Sequence, residues 1–228
     1  MAGKIAKSHH QADDPVMKYV INNSLREPEV LRKLREATFK NTQRSFMLVA
    51  PEEAQLFRVI LPLLNPQKCI EIGVFTGYNT INMAMCLPSG GKVVACDVTD
   101  ESLKAVDFTS LVKEAGVEDK VDLRIQPAIK TLDELIVNGE SGTYDFVFID
   151  ADKPSQMIYY EKSLVLLRQG GMVAIDNVIY HGKVTKDPLE MDEGTKCIHE
   201  LNMKIHKDER VTMAMLPFAD GVTLATKN

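Results

Sequence analysis

The 228-residue chain has no apolar run long enough to cross a bilayer. Stretches such as Phe46 to Ala50 and Tyr144 to Ile149 fall far short of the roughly 20 residues that a spanning helix requires. The opening segment MAGKIAKSHHQADDP holds no apolar stretch of signal-peptide length, so a cytoplasmic protein without a membrane partner is expected. Cysteine is scarce: Cys69, Cys86, Cys96 and Cys197 form no C-x-x-C pair and lie on apolar segments, which favours buried free thiols over a disulfide framework or a zinc site. Long basic runs are missing too, and 27 Lys plus Arg against 32 Asp plus Glu leave a net charge of -5, so nucleic acid is not an expected partner. Neither an internal repeat nor a low-complexity linker breaks the chain. With 45% hydrophobic residues a sizeable core is available, and the length suits one generous domain or one domain with an appendage.

What is present, from about residue 50 onward, is an alternation of short apolar segments with helix-like ones. Lys68 to Gly73, Lys92 to Val98, Val121 to Gln126, Tyr144 to Asp150 and Gly171 to Val178 read as buried parallel strands. The spacing predicts helices over 52–64, 77–87, 101–115, 128–138, 155–168 and 189–206. The third is bounded best, with Asp100 as its N-cap and Gly116 as its stop. Such an order predicts a doubly wound α/β sheet with helices on both faces. Arg210 to Leu216 and Val222 to Thr226 are separated only by PFADG, a hairpin loop, so the sheet should finish with an antiparallel strand. Residues 1–46 stand apart as an N-terminal helical arm before a 47–228 α/β domain. Within the arm, EPEVLRKLREATFK reads as a helix with Pro28 near its start and Val30, Leu31 and Leu34 on one face. It packs on the core, covers a substrate pocket or joins a dimer.

Ligands of open parallel sheets bind beyond the carboxyl ends of the strands, and three of those ends carry acids. After the first strand comes Glu71-Ile-Gly73-Val-Phe-Thr-Gly77-Tyr-Asn79. A dinucleotide fingerprint would need further glycines where Phe75 and Tyr78 stand, which disfavours pyrophosphate and an NAD-dependent oxidoreductase. Asp97 ends the second strand, where an acid can accept both hydroxyls of a ribose. A nucleoside without a phosphate cradle fits S-adenosylmethionine. Asp150 and Asp152 end FVFID, and Asp176-Asn177 end GMVAIDN, so three carboxylates and an amide should point into one crevice. A hard divalent cation would relieve their repulsion; helix or loop capping is the alternative use.

EIGVFTGYN, VFIDADK, GGMVAIDN and the terminal DGVTLA together resemble, in order and spacing, the cation-dependent O-methyltransferases typified by caffeoyl-CoA O-methyltransferase and related to catechol O-methyltransferase. The likeness spans roughly residues 20–228 and takes in REPEVLRKLREAT and FMLVAPEEAQL. It implies the class I, Rossmann-like S-adenosylmethionine-dependent methyltransferase fold, seven strands, mostly parallel. By the resemblance, Asp150, Asp176 and Asn177 hold the metal, usually magnesium, with manganese or calcium as substitutes. S-adenosylmethionine falls to Met47, Glu71, Gly73, Val74, Asn79, Asp97, Ala128 and Asp152; Asn79 stands where many members have Ser. Lys153 resembles the general base of catechol-type members and forms the catalytic pair with Asp150. Asp220 matches an acid near the substrate, and Tyr180 and His181, in the loop VIYHGKVTKDP, are acceptor contacts. The implied reaction is methyl transfer to one hydroxyl of a vicinal diphenol, a catechol, flavonoid or caffeoyl-type small molecule, by a homodimer. A non-catalytic S-adenosylmethionine-binding protein is the other reading. His9, His10, His199 and His206 form no second metal site, and Ile81, Met83 and Met85 are read as core.

Overall fold

A computed structural model describes residues 14–228; His9 and His10, and the first part of the arm, lie outside the described residues. Seven strands form one sheet: β1 (Lys68–Ile72), β2 (Lys92–Asp97), β3 (Val121–Ile125), β4 (Tyr144–Ile149), β5 (Leu167–Asp176), β6 (Val211–Leu216) and β7 (Val222–Lys227). They lie in the order β3-β2-β1-β4-β5-β7-β6. The first five are parallel, and β7 runs antiparallel to both β5 and β6, as the short PFADG connection requires. No helix among the described residues is long and apolar enough to cross a membrane.

Every residue of β4 is buried, as expected of a central parallel strand covered on both faces. Its side chains alternate between two cores. Phe146 and Phe148 join one core, where Phe57 meets both rings edge-on at centroid distances of 5.5 and 5.2 Å. Val147 and Ile149 join the other, with Tyr159, Tyr160 and Leu201. The described residues form nine α-helices, of which all but the first cover the sheet or its flanking helices: α1 (Pro15–Ser24), α2 (Glu29–Asn41), α3 (Pro51–Leu64), α4 (Tyr78–Cys86), α5 (Glu101–Ala105), α6 (Phe108–Glu114), α7 (Ala128–Val137), α8 (Gln156–Leu166) and α9 (Glu193–His206). α2 buries Val30, Leu31 and Leu34 in the core that holds Phe57.

Register positions the site. Ile72 lies opposite Cys96 of β2 and Ile149 of β4, and Ile149 lies opposite Ile175 of β5. The next residues, Gly73, Asp97, Asp150 and Asp176, therefore leave the sheet side by side.

Three expectations need correction. The helix foreseen over 101–115 is two helices, because Asp107 adopts a left-handed conformation (φ 53°) that lets both Val106 and Phe108 face the core. Its cap is also displaced: the Asp100 side chain pairs with Lys104, and the Thr99 hydroxyl accepts the Glu101 N–H instead. α1 was not foreseen at all; Asp14 caps it by accepting from Val16 N–H, Pro15 opens it, and it buries none of its residues. The four cysteines are free, and burial pushes the Cys96 thiol up to about 12.

Candidate active site

The loop after β1 is shaped by what surrounds it. A Cβ on Gly73 would sit 2.1 Å from the Asp150 carbonyl oxygen, and the residue has φ +95°, so only glycine lets the β1 and β4 ends lie this close. Asp97 holds the turn: its Oδ2 accepts from the N–H groups of Val74 (3.0 Å) and Phe75 (2.9 Å), and its Oδ1 accepts from Val98 (2.7 Å). From α2, the Thr38 hydroxyl reaches the Thr76 hydroxyl at 3.0 Å and fixes the loop from below. Asp97 is thus the organiser of the loop that it was expected to accompany.

Glu71, one residue from the end of β1, is buried. The Thr80 hydroxyl donates to its Oε2, while Oε1 is buried with no hydrogen-bond partner. Burial drives its carboxyl up to about 8; hydrogen bonding with Thr80 and Asn79 pulls the other way, and Asp150 and Asp97 add to the rise. A buried acceptor left without a donor costs free energy unless a ligand supplies one, and an ammonium group would answer both the charge and the missing bond. Asn79 is buried beside it on α4, with its amide donating toward Met83 Sδ.

Across the row, Asp176 is fully buried, and its Oδ1 accepts from the backbone N–H (2.5 Å) and the side-chain amide (3.1 Å) of Asn177. Asn177 is itself left-handed (φ 61°). With its amide nitrogen held by Asp176, its Oδ1 is free to face Lys153, whose Nζ donates to it at 2.9 Å. The same ammonium lies 3.8 Å from Asp150 Oδ1. Asp150 and Asn177 therefore already direct oxygens at a positive group, and the donor set of two carboxylates and an amide consists wholly of hard oxygens, which suits a hard divalent cation. Among the described residues no cluster of three or more His, Cys, Asp and Glu side chains is gathered for a metal.

Asp152 turns to the start of the neighbouring helix rather than to Asp150 and Asp176. It accepts from Tyr159 Oη (2.6 Å) and Ser155 N–H (3.1 Å) and so caps the turn leading into α8. Burial works to raise its pKa, but these hydrogen bonds outweigh it and hold the carboxyl below its ordinary value. Three carboxylates in one crevice reduce to two. Ala128 opens α7 just beyond Gln126, whose N–H bonds the Asp97 carbonyl. Met47 ends a single 3-10 turn and is 40% exposed. Thr80 and Tyr159, which fix Glu71 and Asp152, carried no signal in the sequence, since a hydroxyl one turn into an apolar helix looks like filler.

The segment 178–182 follows directly on Asn177. Asp220 is buried and accepts the His181 N–H at 2.5 Å, and its Oδ2 lies 3.7 Å from His181 Nδ1. Tyr180 (φ 47°) and His181 (φ 57°) are both left-handed, a strain on the order of 1–3 kcal/mol per residue that surrounding bonds must sustain. The Tyr180 ring carries Lys183 Nζ over its face at 5.0 Å, and Lys183 pairs with Asp192 at 3.2 Å.

An O-methyltransferase family model matches residues 21–228. The chain belongs to the O-methyltransferase family. It is 45% identical over 218 residues to a probable caffeoyl-CoA O-methyltransferase 1 of Dictyostelium discoideum, covering 95% of this chain and 94% of that one. With a catechol O-methyltransferase domain-containing protein 1 of Mus musculus it shares 40% identity over 94% of this chain and 80% of that one. Among solved structures, the O-methyltransferase TomG from Streptomyces achromogenes, in complex with SAM, superposes with a TM-score of 0.82 at 28% identity, covering 93% of this chain and 96% of that one. The seven-stranded sheet with its antiparallel end is thus the methyltransferase architecture, and the O-methyltransferase match includes α2 as well as the sheet.

Proposed function

We propose that this O-methyltransferase moves the methyl group of S-adenosylmethionine to one hydroxyl of a vicinal diphenol, a catechol, flavonoid or caffeoyl-type molecule, with the help of a divalent cation. The observation that carries the reading is the convergence of Asp150, Asn177 and Lys153 Nζ at adjacent strand ends, beside the Gly73 loop and the unpartnered Glu71 oxygen. The names of the relatives and the SAM held by TomG support it.

Glu71 Oε1 would accept from the amino group of the cofactor, and the loop held by Asp97 would present its backbone to the same molecule. Gly73, Val74, Asn79 and Ala128 border that space; Asp152 serves it indirectly by setting the turn into α8. Asp150, Asp176 and Asn177 would hold the cation, magnesium by preference, with manganese or calcium as substitutes. Such a cation would supply Lewis acidity that makes a hydroxyl held beside these oxygens more acidic. Lys153 would stand beside that hydroxyl, where a neutral Nζ would take up the released proton, or the ammonium would hold the charge that it leaves. Rigid strand ends suit this work, because fixing two reactants at attack distance can remove roughly 7–11 kcal/mol from a barrier. A cytoplasmic homodimer, with neither nucleic acid nor membrane as partner, completes the proposal; the acidic balance of the chain supports its part on nucleic acid.

The test is transfer from labelled S-adenosylmethionine to catechol, caffeoyl-CoA and phenol. Methylation of catechol or the caffeoyl thioester, with phenol inert, is expected. Cofactor binding with no transfer would leave a binding protein, and equal methylation of phenol would remove the need for two neighbouring hydroxyls.

A further inference from the structure

The C-terminal hairpin loop and the segment after Asn177 are fastened together by several hydrogen bonds, with Val178, Ala219, Asp220 and Gly221 buried where they meet. Val178 N–H donates to the Gly221 carbonyl at 3.1 Å and Ile179 N–H to the Asp220 carbonyl at 3.0 Å. The His181 N–H then reaches the Asp220 side chain itself, at Oδ1. Ala219, Asp220 and Gly221 are three consecutive left-handed residues (φ 51°, 72° and 89°), facing left-handed Tyr180 and His181 on the other side. A Cβ on Gly221 would lie 2.5 Å from Ile179 Cγ1, so the two segments are in direct contact. Left-handed side-chain-bearing residues are strained unless something holds them, and the Asp220 carboxylate reaches across this seam to do so.

We infer that Asp220 is a positioning residue: a latch that ties segment 178–182 to the β6–β7 hairpin and so sets the wall on which the acceptor rests, without itself touching the acceptor. This departs from the expectation that Asp220 is a substrate contact. It accounts for an otherwise unassigned buried carboxylate, since both of its oxygens face His181. It also gives the antiparallel end of the sheet a task, because β7 pairs with β5 at Asp176 and Val222 and therefore carries the latch beside the Asp176-Asn177 step. The inference rests on the proposed transfer reaction for its kinetic arm only.

The experiment compares wild type, Asp220→Asn and Asp220→Ala. Asparagine keeps an oxygen that can accept the His181 N–H; alanine does not. With Asp220→Ala, the acceptor KM should rise about tenfold while kcat falls by less than about threefold and the cofactor KM is unchanged, and Asp220→Asn should restore most of the acceptor KM. In the same proteins, hydrogen exchange over 178–187 should quicken in the alanine variant and stay slow in the asparagine variant. Unchanged acceptor KM and exchange in Asp220→Ala would overturn the latch; so would an asparagine variant as impaired as alanine, which would mean that the charge meets the acceptor directly. Should the alanine variant not fold, the His181 amide of the wild type decides: slow exchange supports the latch, and exchange at the rate of an open loop overturns it. If the wild type methylates no acceptor, the transfer reading fails, while the exchange arm still tests the latch.

Discussion

Replacing Glu71 by Gln should make the cofactor-free protein more stable at alkaline pH while weakening its hold on S-adenosylmethionine. The buried carboxyl titrates near 8 in the folded chain, because burial opposes its charge more than Thr80 and Asn79 favour it. In the unfolded chain it titrates at the ordinary value of 4.5. Below 4.5 both states hold the proton and no penalty arises. Between 4.5 and about 8 only the folded state holds it, so folding stability falls as pH rises, by about 1.4 kcal/mol per pH unit, and the loss is complete above about 8. The interval sets a ceiling of about 5 kcal/mol for the penalty in alkaline solution, of the kind expected for a carboxylate with one oxygen unpartnered in the core. Glutamine keeps an oxygen for the Thr80 hydroxyl and carries no charge to strand. Urea unfolding of both proteins at about pH 5 and about pH 8.5 should therefore show the wild type losing some 2–4 kcal/mol more than Glu71→Gln over that range. Calorimetric titration at about pH 8 should show the variant binding S-adenosylmethionine at least about tenfold more weakly. Parallel stability curves for the two proteins would refute the reasoning, since they would mean that Glu71 is charged and satisfied in the empty fold.

Two further outcomes follow from the same row of residues. Lys153→Met should lower methyl transfer by about 10²–10⁴-fold, while the affinity for manganese, read by titration, holds or rises because a positive neighbour of Asp150 and Asn177 is gone. Gly73→Ala should destabilise the fold by more than about 3 kcal/mol in urea unfolding, since its methyl group would meet the Asp150 carbonyl at 2.1 Å in a conformation alanine avoids.

The sheet was legible because its strands are short apolar runs with acids at their ends, and because PFADG is too short for a crossover. Asp97, Asp150 and Asp176 could be placed from that pattern alone, since register brings strand ends level. What each carboxylate does there was less legible. Asp152 carries the same sequence signal as Asp150, yet Tyr159, one turn into α8, draws it away from the crevice. Asp100 has the right spacing for a cap but pairs with Lys104 instead, leaving the work to Thr99. The break at Asp107 depends on tertiary burial of Val106 and Phe108 and leaves no trace in local propensity. The seam between 178–181 and 219–221 was invisible for a similar reason: Tyr180 and Ala219 are not residue types that announce left-handed backbone, and the weak preference of His181 and Asp220 for it does not show which segment each would meet.

The measurement that bears most directly on the account is methyl transfer from labelled S-adenosylmethionine to catechol in the presence of EDTA, after restoration with magnesium, and with Asp150→Ala. The account predicts transfer that EDTA abolishes, magnesium restores and the substitution eliminates, with the cofactor still bound in each case. Transfer that persists in EDTA, or that survives in Asp150→Ala, would contradict the assignment of the Asp150, Asp176 and Asn177 oxygens to a cation.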